Sequence, residues 1–200
     1  MDNPILHKLM AERPLVLASG SPRRKALLEM LGLRFTVHVS DVAEDAPAGL
    51  SPAETAVYLA EKKAHASAAG FSKATLIAAD TIVVLDGEII GKPADRSEAI
   101  AMLRRLSGRT HRVYTGFSIL KTPEMQGVSD VDCTAVTFNE MTEAEIKAYV
   151  DTGSPMDKAG AYGIQDQSAV FINRIEGCFY NVVGFPLARF YQTCQPFFAE

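Results

Sequence analysis

Seven consecutive residues, Ser19-Gly20-Ser21-Pro22-Arg23-Arg24-Lys25, place two hydroxyls ahead of three cations where a short apolar run gives way to a helix. A helix N-terminus is already the positive end of the macrodipole, so cations there are unfavourable by about 0.3–1 kcal/mol each and call for an anion. Exposed N–H groups, hydroxyls and guanidinium forks make a phosphate cradle; the alternative is a solvated basic turn. It is not a Walker loop, because GxxxxGK[ST] is absent. Asp80 interrupts the apolar stretch Leu76 to Val84. A carboxylate inside a buried strand must be paired, hydrogen-bonded or bound to a cation, so it marks either a salt bridge or a site, with Lys92 of Gly91-Lys92-Pro93 returning one hairpin later. Asp157 to Gln165 is a loop rich in glycine and alanine that carries an acid, Lys158 and an amide. Small residues admit close backbone approach, and Gln165 offers paired donor and acceptor groups to a planar base; a structural turn explains the same composition. Asp41, Glu44 and Asp45 read as a solvated acidic connection, and Lys62-Lys63 as the exposed face of a helix. The histidines at 7, 38, 65 and 111 show no metal or triad spacing, and no GxSxG elbow exists. Cations, a buried acid and an acidic loop together describe a polyphosphate site with a divalent metal, where charge is neutralised and water is oriented or deprotonated.

The chain that must position these groups has 200 residues, 48% hydrophobic and 22% charged, enough for one globular domain with a sizeable core. A net charge of -4 argues against broad binding to nucleic acid or anionic membrane. Three cysteines without CxxC spacing suit a reducing, cytoplasmic setting, and no apolar run reaches the roughly 20 residues of a membrane span. Residues 14–18 predict a buried strand, and Ser21 with Pro22 starts the following helix, which Gly32 stops. A strand over 35–39 follows. Ser51, Pro52 and Glu54 open a long helix ending near Ala69 with a capping box. The strongest strand, Leu76 to Leu85, turns at Asp86-Gly87 into Glu88-Ile89-Ile90. A helix from Asp95 to Leu106, strands over 113–120 and 129–138, a helix capped by Thr142 and Glu145, a strand over 169–175 and a closing helix over 186–194 complete an α/β pattern with a mixed sheet.

In this order along residues 15 to about 195, Leu17-Ala18-Ser19-Gly20-Ser21-Pro22-Arg23-Arg24, Ala79-Asp80-Thr81, Gly91-Lys92-Pro93, Leu106-Ser107-Gly108, Asp157-Lys158-Ala159-Gly160-Ala161-Tyr162-Gly163-Ile164-Gln165 and Val183-Gly184-Phe185-Pro186-Leu187 resemble the motifs of the Maf family of nucleoside triphosphate pyrophosphatases. The resemblance implies one Maf-like domain over residues 1–200, an elongated mixed sheet flanked by helices with two lobes around a cleft, similar to the inosine triphosphatase group. It implies hydrolysis between the α and β phosphates with a divalent cation, Mg2+, Mn2+ or Co2+. Asp80 is then the proton acceptor, Arg24, Lys63 and Lys92 contact phosphate, and Ser19 and Ser21 line the cradle. Glu44 and Asp80 face the metal, and Lys158 joins the cations of the cleft. Arg23, Thr81 and Gln165 are similar to the branch that prefers dTTP and UTP, whereas the 7-methylguanosine triphosphate branch carries tryptophan after the proline, a residue this chain lacks. One departure is Lys62, where the family more often has Glu. The rival readings are a pyrophosphatase for modified purine nucleotides and a non-catalytic nucleotide-binding regulator of septum formation. A single chain and a homodimer both remain open.

Overall fold

The computed structural model describes residues 4–11 and 13–198; the first three residues and the side chain of His7 lie outside the described residues. Two compact units are assembled from interleaved stretches of chain. Of the described residues, the first comprises those up to Asp80, 115–132 and those from Gly184 onward, and the second residues 81–114 and 133–183.

In the first unit, β1 (Leu15–Leu17) is the organising strand. It pairs in parallel with β2 (Thr36–Val37) on one side and with β3 (Ala74–Leu85) on the other. The connections run through α2 (Pro22–Met30) and α3 (Pro52–Ala68). The first connection leaves β1 for β2, and the second returns from β2 past β1 to β3, so β1 lies between its two successors in a parallel sheet. Ser21 caps α2, its hydroxyl accepting from the Arg24 amide, with Pro22 as the first helical residue. Ser51 and Glu54 form the expected reciprocal capping box of α3. Small residues let α3 lie directly on the sheet. Ala64 and Ala68 pack with Val16, Ala18, Ala74, Leu76 and Ala78, and a Cβ added to Gly116 would stand 2.3 Å from the Ala56 carbonyl carbon. Phe117, Phe185 and Phe190 are fully buried with ring centroids 5.0–5.8 Å apart, which seats α7 (Leu187–Phe197).

The second unit begins at Thr81. The remainder of β3 turns through Asp86 and Gly87, both at positive φ, into antiparallel β4 (Glu88–Ile90), as Asp-Gly in a two-residue hairpin predicts. Asp95 caps α4 (Arg96–Leu106), and Thr142 with Glu145 forms the capping box of α5 (Glu143–Asp151). β6 (Gln126–Phe138) pairs with antiparallel β7 (Ile172–Glu176). With β5 (Thr110–Thr122), the strand order is β2-β1-β3-β5-β6-β7, and β4 pairs with β3. Parallel and antiparallel pairs coexist, so the sheet is mixed and the class α/β. Among the described residues, no helix is long and apolar enough to cross a membrane.

Several elements differ from the sequence expectations. β2 is confined to two exposed residues at the sheet edge. Residues 167–171 form a 3-10 helix capped by Asp166, so β7 starts at Ile172; Val170, apolar enough to suggest a strand, is 75% exposed. The glycine-rich stretch is wound into short 3-10 turns at 154–157 and 159–161. Helices α1 (Pro4–Ala11) and α6 (Phe179–Val183) are additional to the elements expected from the sequence.

Candidate active site

β1 ends at Leu17, opposite Ile77, and the Ala18 amide donates to the Ile77 carbonyl at 2.8 Å. β3 continues past that point, and Asp80 lies on the overhang. Strand alternation puts Asp80 on the face of Ala74, Leu76 and Ala78, the face covered by α3. Lys63, next to Ala64 on that helix, consequently reaches it. Its Nζ donates to Asp80 Oδ1 at 2.5 Å and to Glu44 Oε1 at 2.7 Å. Asp80 and Lys63 are largely buried, with side chains 10% and 13% exposed, whereas Glu44 is half exposed. The Lys62-Lys63 pair, read from sequence as an exposed face, therefore divides. Lys63 binds the buried acid, while Lys62 Nζ holds the carboxylate of Asp45 and, at 3.2 Å, its carbonyl oxygen. That bond and charge hold the Asp45 carboxyl below its usual range.

The turn after β1 is built around Arg24. Its Nε donates to the Gly184 carbonyl at 2.9 Å and its Nη1 to Ser19 Oγ at 3.1 Å, and the Ser21 amide donates to the same hydroxyl at 3.3 Å. Burial lowers the Arg24 pKa, opposed by the charges of Asp80 and Glu44 and reinforced by that of Arg23. Through those three charge interactions Arg23, Arg24, Glu44 and Asp80 share one electrostatic neighbourhood. Ser19, Ser21, Arg23, Arg24, Glu44, Lys63 and Asp80 all belong to the first unit. Gly20 keeps the turn narrow, since a Cβ there would sit 3.2 Å from a Val39 methyl.

Thr81, Lys92, Lys158 and Gln165 belong to the second unit. Thr81 follows Asp80 on β3, so its side chain takes the opposite face. The Gly160 amide donates to the Gly91 carbonyl at 2.9 Å, joining the Gly91-Lys92-Pro93 segment to the glycine-rich loop. Gly160 adopts a φ of +71°, and a Cβ there would press on Val83 at 3.1 Å; conformation and space both require glycine. Lys92 and Gln165 are exposed. Lys158 is drawn into its own loop, donating to the Ser154 carbonyl at 2.5 Å and Asp157 Oδ1 at 2.6 Å.

Several contributors carried no sequence signal. His111 is buried, its Nε2 lies 2.7 Å from the Tyr162 hydroxyl, and its ring meets those of Tyr162 and Phe138 edge-on. Burial lowers its pKa to about 4, keeping the ring neutral near pH 7. Tyr149, Ser154 and Asp166 brace the loop and belong to no motif in the sequence. A hydroxyl or carboxylate in a loop looks the same from sequence whether it is solvated or at the hub of a network.

Among the described residues, no group of three or more His, Cys, Asp or Glu side chains is gathered for a metal. Beside the Ser19–Ser21 turn, Glu44 and Asp80 converge on one cation, Lys63. The Maf-like protein family model matches residues 14–197. A dTTP/UTP pyrophosphatase of Salinibacter ruber is 48% identical over 99% of this chain and 96% of its own length. One of Pelotomaculum thermopropionicum is 49% identical over 88% of this chain and 93% of its own. Among solved structures, the Staphylococcus aureus Ham1 protein aligns with a TM-score of 0.43 and 19% identity, over 80% of this chain and 91% of that one.

Proposed function

The chain belongs to the Maf-like protein family, and from that premise we propose that it hydrolyses dTTP and UTP, with modified pyrimidine nucleotides, to the monophosphate and pyrophosphate. The observation that carries this reading is the clustering of Asp80, Lys63, Glu44, Arg23 and Arg24 beside the Ser19–Ser21 turn, on a chain 48% identical to a named dTTP/UTP pyrophosphatase over nearly its whole length. In the cell such an activity keeps aberrant nucleotides out of DNA and RNA, a cytoplasmic role.

Glu44 and Asp80 fit a divalent cation. Their oxygens already meet at one positive centre, and hard cations such as Mg2+ take oxygen ligands, commonly one or two carboxylates plus substrate phosphates. Such an ion, when bound, neutralises the triphosphate and polarises its phosphorus–oxygen bonds. The protein's own groups do the rest. Asp80 accepts a proton from the water that attacks the α phosphorus. The bond from that phosphorus to the α,β-bridging oxygen breaks, and its electron pair leaves with pyrophosphate. Arg23, Arg24, Lys63 and Lys92 stabilise negative charge on the phosphates, and the Ser19 and Ser21 hydroxyls with their turn amides seat them. Thr81 and Gln165 select the base, and Lys158 shapes the loop that presents Gln165.

Asp80→Asn tests this directly. Pyrophosphate release from dTTP with Mg2+ or Mn2+ should fall by about three orders of magnitude or more, as for loss of a general base compounded by a lost ion contact, while circular dichroism stays native. Release near the parent rate would remove Asp80 from the mechanism. A nucleotide panel in the same assay tests base preference, and a preference for 7-methylguanosine triphosphate would reverse the substrate assignment.

A further inference from the structure

Asp166 follows Gln165 immediately, and the bonds that tie the loop converge on its carboxylate. It accepts from the Tyr149 hydroxyl at 3.1 and 3.2 Å, from the Ser154 hydroxyl at 2.7 Å and from the Ser168 amide at 2.9 Å, with Lys158 Nζ 3.8 Å away. A carboxylate has about four lone-pair sites, and these donors nearly fill them. The other side of Gln165 is locked into the same network. The Gly163 amide donates to the Tyr149 hydroxyl at 3.3 Å, and the Gly163 carbonyl accepts from the Ser168 hydroxyl at 2.8 Å and the Asp166 amide at 3.0 Å. Burial, followed by the charge of Asp166, pushes the Tyr149 pKa up to about 12, so the phenol stays a donor at any working pH. Gly163 leaves the space this needs. A Cβ there would lie 2.7 Å from both Asp166 Oδ2 and Lys158 Cε. In the middle of this lattice Gln165 is exposed.

We propose that Asp166 is a positioning residue that clamps residues 163–168 into a rigid mount for Gln165 and so sets base selectivity without touching substrate. The proposal rests on the reading of Gln165 as the base contact. A glutamine on a mobile loop must be ordered by each ligand it meets; on a fixed mount that ordering cost is already met, and a mismatched base is left facing an unpaired amide. The surrounding bonds run within the loop and from it to Tyr149 of α5, and none of them involves Asp80, so the effect falls on binding and discrimination and leaves the phosphate chemistry at Asp80 alone.

The test uses the full chain with Asp166→Ala, Gly163→Ala and Gln165→Ala. Hydrogen exchange without nucleotide should speed up about tenfold or more at amides 163–168 in the first two variants, because local opening sets exchange there, with α3 and β3 unchanged, and should not change in Gln165→Ala. Steady-state kinetics should show KM for dTTP raised about tenfold in Asp166→Ala, kcat within about threefold, and the preference for dTTP over dCTP reduced about tenfold. Gln165→Ala should lose the same preference, and the double variant should lose no more than Gln165→Ala alone. If Asp166→Ala does not fold, Gly163→Ala carries the test, since it crowds the carboxylate without removing it. Unchanged exchange at 163–168 overturns the proposal, as does a loosened loop that keeps its base preference when Gln165→Ala has lost it. A Gln165→Ala enzyme with parent selectivity overturns the base-contact reading and the selectivity half of the proposal, while the exchange rates still decide whether Asp166 holds the loop.

Discussion

Replacing Lys63 with methionine removes the ammonium that Glu44 and Asp80 share and keeps most of its aliphatic bulk. Opposite charges with centres about 3.5 Å apart attract by roughly 5 kcal/mol at an effective dielectric of 20, and much of this is offset by desolvation in the native pair. The variant forfeits the attraction but leaves Asp80 only 10% exposed, so the carboxylate keeps its desolvation cost without its directly bonded cation, while the charge of Arg24 still acts on it. Breaking buried pairs in this way costs about 3–5 kcal/mol. Glu44, half exposed, is resolvated and adds about 0–1 kcal/mol at most. Lys63→Met should therefore lower the unfolding free energy by about 3 kcal/mol, read from urea titration of the ligand-free protein. The companion Asp80→Asn keeps Lys63 paired with Glu44 and should cost about 1–2 kcal/mol. The decisive measurement is the double variant. Removing both charges abolishes the orphan, so it should be more stable than Lys63→Met alone, with a coupling of about 2 kcal/mol in the cycle. Additive losses, or a Lys63→Met cost below about 1 kcal/mol, would refute a buried, mutually dependent pair.

Gly116→Ala forces a methyl onto the Ala56 backbone at 2.3 Å; α3 must lift, and stability in urea should drop by about 3 kcal/mol. His111 has a folded pKa of about 4 against an unfolded value of about 6.5. The unfolded chain then binds the extra proton between those values, so this contribution is full above pH 6.5 and is lost as pH falls toward 4, about 3 kcal/mol in total. His111→Phe should remove that slope from the pH dependence of unfolding, seen as the difference between parent and variant curves. Burial pushes the Cys194 thiol up to about 12, so iodoacetamide at pH 8 should modify the half-buried Cys133 and Cys178 and spare Cys194 until the protein unfolds; equal labelling of all three would contradict that burial.

The sequence was informative where chemistry is local. Ser21-Pro22, Ser51 with Glu54, Thr142 with Glu145 and Asp86-Gly87 each specify a terminus or turn through bonds spanning a few residues, and each is found as expected. Asp80 was legible for the same reason, since one acid in an apolar strand must have a partner. The identity of the partner was not legible, because Lys63 meets Asp80 only through the packing of α3 alanines on β3 and of Ala56 on Gly116. Without the family resemblance, Glu44 and Lys63 would have been passed over. The bracing by Tyr149, Ser154, Asp166 and His111 escaped notice because hydrogen bonds across many residues leave no spacing to read. The span over 169–175 is the opposite case: its apolar residues predict a strand throughout, yet residues 169–171 belong to the turn wound by the Asp166 cap and only Ile172 onward is extended.

The two carboxylates that meet at Lys63 are held by different kinds of attachment. Asp80 is fixed by a twelve-residue strand and buried neighbours. Glu44 belongs to a connection outside regular structure, tied to α3 by ion pairs whose acids are exposed. Mobile ions screen the second kind of attachment far more than the first. Dissolved electrolyte thus acts on this centre unevenly, loosening the Glu44 arm while the Asp80 side stays in register, and ionic strength becomes a means of separating the contributions of the two acids without changing a residue.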